Sequence, residues 1–116
     1  MTWQELRAWC LSLPGAEETF PFEPGCSVFK AANGKMFAVS VMTTEPLDVS
    51  VKCEPELGEA LRRDYEAIVE GYHLNKRHWI TVNLNEDAPD ELVRQLIEDS
   101  YGLVVPRVRR AVAARS

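Results

Sequence analysis

Asn33-Gly34 lies between two strand-like runs, Ser27 to Ala31 and Lys35 to Met42. Asparagine and glycine accept positive φ angles, so the dipeptide suits a type I′ hairpin turn whose twist matches the flanking strands. A lone hairpin is marginal in water, so this one commits the neighbouring chain to supplying further strands and an apolar cover. The next run answers that need. From Leu47 to Cys53 the odd positions are apolar and the even ones polar, the alternation of a strand with one face on a core and the other wet, or at least outside the core.

Helical signals flank the strands. Thr2-Trp3-Gln4-Glu5 has the S/T-x-x-E form of a capping box, and Trp3, Leu6, Trp9, Cys10 and Leu13 follow at helical spacing until Pro14-Gly15. A first helix is expected from Trp3 to about Leu13. Phe20-Pro21-Phe22 and Pro24-Gly25 forbid a helix and leave room for a short edge strand. Glu54-Pro55-Glu56 places proline and acids in the first turn of a second helix, with Leu57, Leu61 and Tyr65 as its buried stripe. Beyond Gly71, Ile80, Val82 and Leu84 alternate with Trp79, Thr81 and Asn83, a half-buried strand with Trp79 on its polar face. A third helix starts near Pro89 and turns Leu92, Val93, Leu96, Ile97 and Tyr101 inward before Gly102. The order α-β-β-β-α-β-α predicts an α+β domain in two layers, a mostly antiparallel sheet with helices packed on one face.

At 116 residues, 46% hydrophobic and 27% charged, the chain suits one domain around one core. Residues 1–105 form that domain, and 106–116 a basic tail or a short helix with Val108, Ala111 and Val112 on one side. No apolar run approaches the roughly 20 residues of a membrane span. The N-terminus lacks the pattern of a signal peptide, which makes the cytoplasm the expected compartment; the chain is expected to be a monomer. The odd, widely spaced set Cys10, Cys26 and Cys53 suggests neither a disulfide framework nor a zinc site; Cys10 and Cys53 fall on apolar faces as packed thiols. The net charge is −5, and the last eleven residues hold four arginines and no acid, so the first 105 residues carry −9. A basic end holding Arg107, Arg109 and Arg110 follows an acidic body. It reads as a solvated helix end or as a phosphate-binding arm.

No glycine-rich phosphate loop, CxxC, GxSxG or HExxH occurs, so no cofactor, metal or enzymatic activity is expected. His73 and His78 lack two further zinc ligands at any nearby spacing. Cys53 beside a histidine would need a base and an oxyanion pocket to be a nucleophile. The most unusual stretch is Gly71 to Trp79, which holds two cations, two imidazoles, two aromatics, an amide and no acid. Lys76 and Arg77 can neutralise phosphates, Asn75 can make paired hydrogen bonds, and Tyr72, His73 or Trp79 can stack on a ring. Lys52 joins this face if its strand pairs beside Trp79. A purely architectural reading fits the same residues: Tyr72 and Trp79 cover the open face of the sheet, Asn75 shapes a turn, and His73 and His78 bond the backbone.

The sequence resembles the MmcQ/YjbR family of small bacterial domains. The resemblance runs through Leu13-Pro14-Gly15-Ala16-Glu17-Glu18, Phe20-Pro21-Phe22, Phe29-Lys30, Gly34-Lys35-Met36-Phe37, Lys52-Cys53, Gly71 to Trp79 (GYHLNKRHW) and Ser100-Tyr101, and leaves out the arginine-rich end. It implies a fold similar to the frataxin-like CyaY proteins, described for this family as a double-wing motif and predicted to bind DNA. Carried over, that function falls on Lys52, Tyr72, His73, Asn75, Lys76, Arg77, His78 and Trp79. The expectation is therefore a non-enzymatic DNA-binding domain of modest, salt-sensitive affinity, since a negative body repels a polyanion. The alternative is a module that binds a small anionic ligand or an acidic protein segment through the same loop.

Overall fold

The computed structural model describes residues 1–71 and 74–105. Among these residues three helices, α1 (Trp3–Ser12), α2 (Pro55–Asp64) and α3 (Asp90–Val104), accompany six strands, β1 (Glu17–Thr19), β2 (Cys26–Lys30), β3 (Met36–Val41), β4 (Asp48–Lys52), β5 (Ile68–Glu70) and β6 (Trp79–Asn83). The sheet is antiparallel throughout, in the order β1-β2-β3-β4-β6-β5. This is the expected α+β arrangement, with two three-residue strands added at the edges: β1, just before the proline-punctuated stretch, and β5, which leaves no alternating pattern long enough to read.

Register and packing put all three helices on one face. Ala38 pairs with Val51 and Val51 with Ile80, and this side forms the core with Phe29, Phe37, Val49 and Val82. Leu6 and Cys10 of α1 and Val93 and Ile97 of α3 close it, each 1% exposed or less. The capping box forms as read: the Glu5 N–H donates to Thr2 Oγ1 at 3.1 Å, and the Thr2 N–H to Glu5 Oε1 at 2.9 Å. The Thr2 backbone N–H, and then the Thr2 hydroxyl, favour the ionised carboxyl and hold the Glu5 pKa below its ordinary value.

Local expectations fail where a distant contact competes. The hairpin is not type I′, because only Gly34 has positive φ. The Gly34 N–H donates to Ala31 O and the Ala31 N–H to Lys35 O, a three-residue loop with a single left-handed residue. Asn33 instead ties the loop down: its Nδ2 donates to Val104 O at 2.8 Å and its Oδ1 accepts from the Lys35 N–H at 3.0 Å. At its far end α3 passes through Gly102 to Val104, whose burial at 2% holds the extra turn in place. On α2, Gly58 and Leu61 face the sheet while Leu57 is exposed. A Cβ on Gly58 would lie 3.2 Å from Ile80 Cγ2, so close packing of helix on strand there, rather than the leucine stripe, sets the helix's rotation.

The largest correction concerns the second face of the sheet. Ser50, Thr81 and Trp79 occupy the supposed polar positions of β4 and β6, yet they are 6%, 3% and 6% exposed. The face is not wet. Ser50 and Thr81 are directly opposite each other and share a hydroxyl hydrogen bond of 2.8 Å, so each satisfies the other away from water.

Candidate functional site

The described residues of this segment, Gly71 and Leu74 to Trp79, include a turn over residues 75–78, and Gly71 is bonded to Trp79. The Gly71 N–H donates to Trp79 O at 3.0 Å. A Cβ at Gly71 would lie 2.7 Å from Trp79 Cβ and 2.9 Å from Trp79 O, an approach only glycine allows. Asn75 O accepts from the N–H groups of His78 and Trp79 at 3.2 and 3.0 Å, and Asn75 Oδ1 from the Arg77 N–H at 2.9 Å. Its side-chain oxygen shapes the turn. His78 O accepts from the Cys53 N–H at 2.8 Å, joining the turn to the end of β4. Asn75, Lys76, Arg77 and His78 are exposed together on this pinned loop. Lys76 Nζ reaches Gly71 O at 3.3 Å, and among the described residues neither Lys76 nor Arg77 pairs with a carboxylate.

Lys52 is directly opposite Trp79 in register, as its place in the candidate set required. It is half-buried and also borders a groove of about 220 Å³ between α2 and α3, with Cys53, Leu57, Leu96 and Asp99. Trp79 is buried, so its ring belongs to the packing of the turn and not to an exposed stacking platform. Tyr72 and His73, and Arg107, Arg109 and Arg110 of the tail, lie outside the described residues.

A cavity of about 460 Å³ lies on the same face, with no cation among its described lining residues. Phe22, Cys26, Val39, Val41 and Leu74 form its apolar lining; Thr44 and Ser50 add hydroxyls, and Glu23 and Asp48 add carboxylates. The register explains the convergence: Cys26 pairs with Val41, Val28 with Val39 and Val39 with Ser50, so these side chains share the face opposite the helices. Phe22 and Glu23, from the loop between β1 and β2, and Leu74, before β6, line it from outside the sheet. Phe22 is 64% exposed at the rim. Burial alone raises the pKa of Asp48 above its ordinary value of 3.8. Sequence reasoning missed this cavity because its walls come from four separated segments. The one local signal was a pair of phenylalanines on either side of Pro21, too apolar for a solvated loop.

All three cysteines are buried free thiols. Burial, helped by Glu18, pushes the Cys10 thiol up to about 12. Burial also raises Cys53, with Glu54 and Asp99 adding to the effect and Arg62 opposing it, the reverse of what activates a thiolate. Among the described residues, no three His, Cys, Asp or Glu side chains are grouped to hold a metal ion.

Fold and surface together define a class: a small α+β domain whose antiparallel sheet has helices on one face and a loop-roofed cavity beside a basic turn on the other. Within that class the chain belongs to the YjbR family, whose model matches residues 11–103 and stops short of the arginine-rich end. It is 39% identical to the uncharacterised protein YbdF of Escherichia coli O157:H7 over 95 residues, 82% of this chain and 77% of that one. It is 35% identical to the uncharacterised protein YjbR of Escherichia coli K12 over 101 residues, covering 87% and 85%. A crystal structure of a Deinococcus radiodurans protein with the DUF419 domain superposes with a TM-score of 0.84 at 44% identity, over 89% of this chain and 78% of that one. A Pseudomonas syringae protein does so with a TM-score of 0.78 at 29% identity, covering 89% and 98%.

Proposed function

We propose that this protein is a non-enzymatic, monomeric DNA-binding domain of the cytoplasm that holds the phosphate backbone through the turn from Asn75 to His78, with Lys52 at its flank. One observation carries the reading. Lys76 and Arg77 stand exposed and free of carboxylate partners among the described residues, on a loop fixed at both ends, and the cavity beside them contributes no cation to its described lining. Cations on an open, ordered turn suit an extended polyanion better than an enclosed small anion. The double-wing description of the family agrees with this use of a loop at a sheet end. The raised Cys53 thiol supports a binding role over nucleophilic catalysis.

Anisotropy of labelled duplex and single-stranded DNA, titrated at about 50 and 200 mM salt, tests the reading. The expected result is weak binding that falls steeply with salt. Replacing Lys76 and Arg77 together by alanine should reduce the slope of log affinity against log salt by about 2, one unit per phosphate contact. Binding that is unchanged in the double variant would overturn this placement of the site.

The −9 charge of the first 105 residues favours a second reading, in which the same turn holds one phosphate or carboxylate of a small metabolite or an acidic peptide. One anion needs only a local cluster of donors. That reading predicts no DNA binding at low salt and a higher melting temperature in millimolar pyrophosphate, lost in the same variant.

A further inference from the structure

We propose that the cavity on the helix-free face of the sheet is a binding site for a small organic cation, an amine carried on an apolar body about the size of an aromatic ring system. Its volume of about 460 Å³ falls within the range of roughly 300–1,000 Å³ typical of small-molecule sites. Its lining has the composition of such sites: apolar walls from Val39, Val41 and Leu74, and a few convergent polar groups. The sign of the charge selects the ligand. The charged side chains among the described lining residues are Glu23 and Asp48, both acidic.

Their placement suits one ligand held end to end. Asp48 opens β4 and is half-buried at the wall, while Glu23 is exposed at the rim beside Phe22. Asp48 has no ion pair among the described residues, and its carboxyl is raised by desolvation. An ammonium seated against it would restore the stabilisation that burial removes, and an anion would add repulsion to that penalty. The apolar body would displace water from Val39 and Val41 and come under the exposed ring of Phe22. Ser50, held by its bond to Thr81, keeps lone pairs available to accept from the ligand's N–H groups.

Tryptamine and indole-3-propionate share a ring system and differ in the sign of the terminal charge near neutral pH, so they separate charge selection from hydrophobic capture. Each is titrated into the isotopically labelled protein while the backbone amides of Cys26, Val39, Val41 and Ser50 are followed by NMR. Tryptamine should shift these four amides saturably at up to about 10 mM, with indole-3-propionate at least about tenfold weaker, a difference of about 1.4 kcal/mol. The Asp48→Asn, Glu23→Gln double variant should weaken tryptamine by about tenfold and abolish the preference; its folding is read from the same spectra. The Lys76/Arg77 double alanine variant should bind tryptamine normally, which keeps this site separate from the DNA surface. No saturable shift at the four amides, or equal or tighter binding of indole-3-propionate by the unmodified protein, would overturn the proposal.

Discussion

The two faces of the central sheet are both buried, but by different means. On one, helices lay continuous apolar stripes over Phe29, Phe37, Val49 and Val82, all fully buried. On the other, loops cover a mixed surface, with Val39 and Val41 half-buried, Ser50 and Thr81 bonded to each other, and a cavity left between strand and loop. A helix presents a regular surface that packs without gaps. Two loops meeting from different parts of the chain leave space, and the polar side chains beneath them pair or line that space. The face that holds the domain together is thus distinct from the face with room for a ligand.

Truncation should expose the difference most strongly. Phe37→Ala, on the helix side, should cost about 3–5 kcal/mol in urea unfolding, the usual loss for a buried phenylalanine. Val39→Ala, two residues along the same strand, should cost only about 1 kcal/mol, because its side chain already borders open space. Equal losses would mean the loop-covered face is packed as tightly as the core. Next comes Gly71→Ala, which forces the backbone away from Trp79 and should cost about 2 kcal/mol by overpacking. A red shift in tryptophan emission should accompany it; an unshifted spectrum with full stability would show that the turn is not clamped there.

Smaller effects test the polar part of the comparison. Ser50→Ala removes one side of the hydroxyl pair with Thr81 and should cost about 1 kcal/mol; no loss would show that the pair is not sheltered from water. Asp48→Asn should raise stability near neutral pH. The Asp48 pKa is higher in the folded state, so its contribution is fully present below the unfolded value, is lost as pH rises through the folded value, and leaves a penalty at neutral pH. The variant's advantage should therefore vanish below about pH 4, near the ordinary carboxyl pKa. A gain that persists at low pH would point to a cause other than this ionisation.

Much of the fold was legible because its signals are local. The capping box at Thr2 and Glu5 needs only four consecutive residues, and the strand patterns from Ser27 to Met42 and Leu47 to Cys53 need only the alternation of neighbours. The segment from Gly71 to Trp79 is distinct in composition, and Asn75, a residue that favours turns, accepts the Arg77 N–H there. The cavity was not legible, because Phe22, Asp48 and Leu74 meet only once β2, β3, β4 and β6 have paired.

The sequence by itself determined the three helices and the four longer strands, the antiparallel hairpin architecture, family membership, and the placing of Lys76 and Arg77 side by side before β6. Only the tertiary structure decided that Asn33 bonds the end of α3 and makes a three-residue turn, that α3 continues past Gly102, and that Leu57 lies outside. It also decided that the polar positions of β4 and β6 are covered. The physical reason is common to all of these: periodicity records what each element prefers in isolation, whereas burial and hydrogen-bond partners depend on which distant segment arrives, and pairing with that segment outweighs the local preference.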